Sequence, residues 1–382
     1  MLDGIPVNDM ENGWVYWSNW FGLDAVMRGT QVQRGLGMSK LAIPSVGGTI
    51  NITTKGIDNK KGISLKQEFG SAGYLRTTLG LTTGRMKGGW GVTFAGSYKQ
   101  GNGWVDQTWT KGWFYFLRVD KEIGKHLISL TAMGAPQEHG QRSYKNHIST
   151  FDSTYAVSVG MRPGFIDTLG GYGLPVNRGL RYNPNWGYLS RAYITDTDTV
   201  YPNAVETSTA NNYYHKPMFS LRDFWSVNDK LYISNVLYLS IGSGGGRSFS
   251  PTPTIDTETN QQDLQSKYNT NLNIPYGFNY EKQSFGIMRN AVNNHFWLGL
   301  LSTFDYTIND AFTLSGGLDL RTYKGMHYRE VNDLFGGNFF VDDGNKNESD
   351  TLKKYEGDKI GYNNDAIVNW GGIFAQLKYQ TG

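Results

Sequence analysis

The feature that most constrains this chain is the rhythm of its connections. From Gly62 onward the sequence runs in segments of about ten residues with period-two alternation, joined in turn by tight turns and long stretches. Ala311 to Tyr323 shows the alternation most clearly. Phe312, Leu314, Gly316, Leu318 and Leu320 fall on one face, with Thr313, Ser315, Gly317, Asp319 and Arg321 on the other. The same pattern recurs in Ile63–Phe69, Tyr74–Leu81, Trp90–Lys99, Trp113–Val119 and His126–Met133. It continues in Met218–Trp225, Leu231–Ile241, Phe296–Tyr306 and Trp370–Tyr379. Alternation alone fits a soluble sandwich and a membrane barrel equally, because each needs one apolar face.

The connections separate these two folds. Short turns fall at Thr82–Lys87, Asp120–Lys125, Val227–Lys230 and Ile308–Ala311, the last three reading DKEIGK, VNDK and INDA. Asp, Asn and Gly sit there where tight hairpins need them. Between them run long stretches over 135–212, 242–294 and 326–369, several times a hairpin loop. Outer-membrane barrels alternate short periplasmic turns with long external loops, and a soluble sandwich has no reason to sustain that alternation. Trp90, Tyr98, Trp113, Trp225, Tyr306 and Tyr379 lie near segment ends, where a membrane–water boundary favours rings.

Composition agrees. Among 382 residues there are 49 Gly and only 11 Pro, and 14% are aromatic, as suits strands and turns. A mean hydropathy of −0.46 is compatible with a membrane barrel, since only every second strand residue meets lipid. No run of about 18 apolar residues occurs, which excludes a helical span. The net charge of +3 gives no ground for a nucleic-acid partner. With no cysteine, there is neither a disulfide framework nor a thiolate metal site. The opening MLDGIPVNDMENG has neither a basic nor an apolar export region, so the barrel reading expects an export signal upstream of it.

The first 58 residues read differently. Val32–Gln33–Arg34–Gly35 precedes Gly47–Gly48–Thr49–Ile50–Asn51–Ile52–Thr53–Thr54–Lys55, and the chain opens with Leu2–Asp3–Gly4–Ile5–Pro6. Two glycines feeding a β-branched strand let one backbone lie close against another. In order and spacing these residues resemble the end of the plug domain of TonB-dependent outer-membrane receptors. Asp3, Gly4, Arg34, Gly35, Gly47, Gly48 and Asn51 carry the match as structural residues, with Arg34 placed to pair with carboxylates of a barrel wall. The likeness is Bacteroidetes-like; the plug ending departs from that of the SusC-like glycan importers, and that branch is not assigned.

The resemblance implies an all-β fold in which the C-terminal half of a plug (1–58) precedes part of a transmembrane antiparallel barrel (59–382). About ten of an expected ~22 strands would be present. It also implies nutrient import across a Gram-negative outer membrane, powered by the TonB–ExbB–ExbD complex through an N-terminal segment outside this chain. Outer-membrane lipid, a nutrient ligand and a surface lipoprotein are the other expected partners. The chain would end at a periplasmic turn, with about twelve further strands to follow. Two rivals stand beside this reading. One is a closed ten-strand barrel acting as enzyme or adhesin, which requires Ile63–Phe69 to pair with Trp370–Tyr379. The other is a soluble carbohydrate-binding β protein.

No catalytic motif emerges, and no cofactor is expected. Ile241–Ser248 (IGSGGGRS) lacks the third glycine of a dinucleotide fingerprint and reads as a flexible loop. Asp343–Gly344–Asn345–Lys346–Asn347–Glu348 alternates oxygen ligands, but Glu348 stands where a calcium loop needs glycine. The six histidines show no metal spacing. Tyr182–Asn183–Pro184–Asn185 resembles a stretch of haem receptors without its companion box. Ligand candidates follow from position: Asp9, Glu11 and Asn12 on the plug's outward face, and Arg178, Arg181, Tyr182 and Trp186 in the longest loop; Trp14, Trp17 and Trp20 could line the same face, but packing between plug and wall is the favoured reading for them. Arginine forks and rings suit an anionic ferric chelate, a glycan or a peptide equally.

Overall fold

In a computed structural model, residues 1–34, 47–142, 145–172, 174–194, 198–273, 275–276 and 281–380 are described. The plug segment forms two antiparallel strands, β1 (Met27–Arg34) and β2 (Gly48–Thr54), with Thr30 opposite Ile52 and Arg34 opposite Gly48. The chain start lies along β2, where Leu2 bridges Ile52 in parallel. Gly48 has φ +115°, and a Cβ there would stand 2.2 Å from the Gln33 carbonyl oxygen, so the crossing requires glycine.

One continuous antiparallel sheet follows. Its strands are β3 (Gly62–Phe69), β4 (Leu75–Thr82), β5 (Trp90–Gly101), β6 (Thr110–Ile123), β7 (His126–Gly134) and β8 (Gln137–Gly140). Then come β9 (Ala210–His215), β10 (Met218–Asn228), β11 (Leu231–Ser250), β12 (Ile287–Thr307), β13 (Phe312–Asp333) and β14 (Lys359–Tyr379). β7 with β8, and β9 with β10, are two staves each interrupted at a proline, Pro136 and Pro217. Proline has no N–H to give the ladder, so the break is local and the two partners share it. Ten staves result. β3 and β14 form the two ends of the sheet and do not pair with each other, so the closed ten-strand barrel is not formed.

The alternation resolves as inside against outside. On β13 Ser315, Asp319 and Arg321 are buried toward the plug while Leu320 is exposed; on β11 Tyr238 is buried between exposed Leu237 and Ile241. Outward Leu237, Ile241, Phe296, Leu298 and Leu320 form an apolar band on neighbouring staves, the pattern of a wall facing lipid. The tight turns work as their sequences suggest. Asn228 accepts from the backbone N–H groups of Lys230 and Leu231, and Asn309 from those of Ala311 and Phe312.

Above the band the structure departs from expectation. β11 to β14 run for 20 to 22 residues each, about twice what a tilted strand needs to cross a membrane. The glycine run of Ile241–Ser248 is therefore strand, not flexible loop: Ser243–Ser248 pair with Ala210–His215 on one side. The missing side chains have a packing reason. A Cβ on Gly242 would stand 2.1 Å from the His295 ring, and one on Gly244 2.2 Å from the Tyr214 ring. The acidic loop is also satisfied internally. Glu348 pairs with Lys354, and Asp342 accepts from the backbone of Gly344 and Gly361. Among the described residues no group of three His, Asp or Glu is placed to hold a metal ion.

Candidate functional site

The plug segment is fixed to the inner face of the wall by a set of polar contacts. Asp3 lies in the left-handed region (φ +48°), and its carboxylate accepts from the Thr54 N–H at 2.8 Å and the Thr54 hydroxyl at 2.7 Å. Asn51 accepts from the Gly4 N–H at 2.9 Å. Onto this node the wall adds two arginines: Arg118 donates to the Thr54 hydroxyl and Arg222 to the Asp3 carbonyl. Higher up, Arg76 of β4 grips Asp24 in a fork of 2.8 and 3.2 Å.

Arg34 takes no part in this clamp among the described residues. It lies exposed at the end of β1, and among the described residues no carboxylate pairs with it. The polarity is reversed, with wall arginines and plug acceptors. Gly47 is open, with nothing near its absent Cβ, and Gly35 lies outside the described residues.

Asp9, Glu11 and Asn12 shape a compact turn. Asp9 accepts from the backbone of Glu11 and Asn12, and Asn12 accepts from that of Trp14. The turn faces the wall across a cavity of about 230 Å³, lined also by Tyr16, Ser18, Asn19, Asn212, Tyr214, Lys216, Asn293, Asn294, Tyr323 and His327. Glu11 ties the turn to β13, accepting from Tyr323 at 3.2 Å and meeting His327 Nε2 at 2.9 Å. Tyr214 is held from behind by His295 at 3.2 Å, which in turn meets Ser240 at 2.9 Å. Of the tryptophans, Trp20 packs into the core while Trp14 and Trp17 stay exposed. A larger apolar cavity of about 580 Å³ is lined by Trp17, Ile50 and Trp370 of β14.

The wall residues of the smaller cavity were not singled out from sequence. They come from several staves brought to one height by register, and single-strand patterns carry no register. The loop candidates divide. Arg178 is exposed, and Arg181 meets Asp106 at 3.5 Å. Tyr182 and Trp186, by contrast, are interior to the loop, 5% and 8% exposed. The Tyr182 hydroxyl donates to the Asn260 carbonyl at 2.8 Å, and burial pushes the phenol up to about 12. Asn183, fully buried, donates to the carbonyls of Asp106 and Gln141. The YNPN stretch thus holds the loop together rather than offering ligand contacts.

A sheet with an apolar outer band, wrapped around a clamped polar hairpin, defines a plugged outer-membrane barrel. No family model matches the sequence, and no curated protein matches it either. Solved structures do. FpvA of P. aeruginosa bound to a heterologous pyoverdine superposes with a TM-score of 0.61 at 12% identity, covering 100% of this chain and 43% of that one. The ferripyoverdine receptor of the outer membrane of Pseudomonas aeruginosa, bound to ferripyoverdine, gives 0.58 at 13% identity over 98% and 42%. The unliganded ferric citrate transporter FecA gives 0.55 at 12% identity over 99% and 45%. The fold is that of the TonB-dependent receptors, and the chain spans less than half the length of each of these.

Proposed function

We propose that this chain supplies the plug end and the first ten staves of an importer that draws a scarce nutrient across the outer membrane. Residues 1–58 act as the plug end and the remainder as wall. The observation that carries the reading is the clamped hairpin: Asp3, Thr54, Arg118 and Arg222 hold the plug inside a wall whose outer face is apolar. A plug so held blocks the lumen until work is done on it. That work would come from the TonB–ExbB–ExbD complex, acting through a segment upstream of these residues. Outer-membrane lipid is the second partner, the nutrient the third, and a surface lipoprotein a further candidate over the external loops.

The relatives in fold are named for pyoverdine and ferric citrate, so ferric chelates stand beside glycans and peptides as candidate cargo. Arg178 and Arg181 remain candidate outer contacts for an anionic cargo. The test is energised uptake. Cells carrying the intact gene should accumulate a labelled nutrient only when TonB is present, and deletion of either gene should abolish accumulation. Recovery of the intact protein from the soluble fraction, or uptake indifferent to both deletions, would refute the proposal.

A further inference from the structure

The cavity between the plug turn and the wall has a chemistry of its own. None of its fourteen lining residues is aliphatic and none is arginine. Two of its polar side chains are buried without protein partners for their hydrogen bonds. Asn19 is 6% exposed, and its side-chain amide makes no hydrogen bond to a described residue. Lys216 is 5% exposed, sits at the proline break of its stave, and forms neither hydrogen bond nor ion pair with a described residue. Its ammonium rests over the Trp297 ring at 5.0 Å. Asp9 is the carboxylate that acts electrostatically on Lys216, yet no ion pair closes between them. Both polar groups line the cavity without a protein partner, so a ligand group there can take the hydrogen bonds that water would otherwise make.

We propose that this cavity seats a neutral, hydroxyl-rich ring, the chemistry of a sugar residue, as the part of the cargo presented to the plug. This rests on the import reading and narrows its cargo. A hydroxyl both accepts and donates, so one hydroxyl accepts from Lys216 while donating to Asp9, and neighbouring hydroxyls meet the amides of Asn19 and Asn212. An anionic chelate satisfies Lys216 but is repelled by Asp9 and Glu11, and lacks the arginine forks that favour it. A zwitterion satisfies both charges but leaves the amides open. Tyr16 and Tyr214 add ring surface for the C–H face of a sugar.

The test uses the intact receptor purified in detergent and titrated with neutral gluco-, manno-, galacto- and xylo-oligosaccharides, with ferric citrate and a dipeptide as comparators. At least one oligosaccharide is expected to bind, with Kd rising about tenfold or more in Lys216→Met and in Asn19→Ala. Lys216→Met keeps the stem over Trp297, and unchanged circular dichroism confirms the fold. Failure of the whole sugar panel, or sugar binding indifferent to both variants, overturns the assignment. Ferric citrate or dipeptide binding that the same variants weaken also overturns it while leaving import standing. Import itself fails separately, in the uptake measurement.

Discussion

Replacing Asp3 by alanine gives the most direct test of how the plug is held. The carboxylate takes two hydrogen bonds from Thr54, at 2.8 and 2.7 Å. Bonds to a charged group are worth about 1.5–3 kcal/mol each. Sharing one partly buried carboxylate, the pair contributes about 3 kcal/mol. Asp3 also holds φ +48°, which aspartate tolerates and alanine adopts at a further cost of about 1 kcal/mol. The sum, about 4 kcal/mol, corresponds to roughly a thousandfold easier opening of the node at about 1.4 kcal/mol per decade. Asp3→Asn keeps the left-handed tolerance and one acceptor oxygen, so about tenfold is expected. Hydrogen exchange of the 48–55 peptide in the intact receptor reads this opening, with Ile52 and Thr54 as reporters. Exchange in Asp3→Ala within about threefold of wild type, or equal effects of Asn and Ala, would refute the node as drawn.

Gly48→Ala places a Cβ against the Gln33 carbonyl at positive φ and should cost a few kcal/mol, about 1–3, while the neighbouring Gly47→Ala meets nothing and should be silent within about 0.5 kcal/mol. Exchange at Val32 and Ile50 separates the two. Leu237→Arg, outward and opposite Leu300, should destabilise the barrel by about 2–4 kcal/mol in a lipid-refolding titration, and Ile241→Arg near the outer boundary by only about 0–1 kcal/mol. The Tyr182 phenol is raised from about 10 to about 12, so its contribution to loop stability is complete below pH 10 and declines by about 2–3 kcal/mol as pH rises toward 12. An ultraviolet difference titration of wild type against Tyr182→Phe should show the missing phenol ionising near pH 12; a midpoint near 10 would contradict its burial.

The staves were legible in the sequence because lipid and lumen demand opposite side chains at alternate positions, as Leu320 and Arg321 show. Of the plug node, Asp3, Gly4 and Asn51 stand out in the sequence, whereas their meeting at β2 and the wall arginines that complete the node depend on register and do not. Above the apolar band the outward-facing demand disappears. Both faces of Gly242–Ser250 meet protein or water, so a paired strand reads as a glycine loop. The roles of Tyr182 and Trp186 were hidden for a related reason: rings in a loop look available until the loop's own core is known.

Beside the Arg76–Asp24 fork, two sets of holding contacts lie apart from each other. Asp3, Thr54, Arg118 and Arg222 form one node on the hairpin, where a pull on the chain at Leu2–Asp3 draws directly on the Asp3–Thr54 bonds. Glu11 with Tyr323 and His327 forms the other, on the wall of the cavity. On the import reading, cargo seated in that cavity competes for Glu11 and Asp9 and loosens the second node alone. The first node has no contact with the cavity, so cargo cannot release it. Work applied to the chain can. On that same proposed reading, cargo and a pull on the chain act on different nodes. A wall that supplies the arginines suits this division: when the hairpin moves, the buried charges stay with the rigid element, where Arg118 keeps Asp120 at 2.8 Å and Arg321 keeps Asp319.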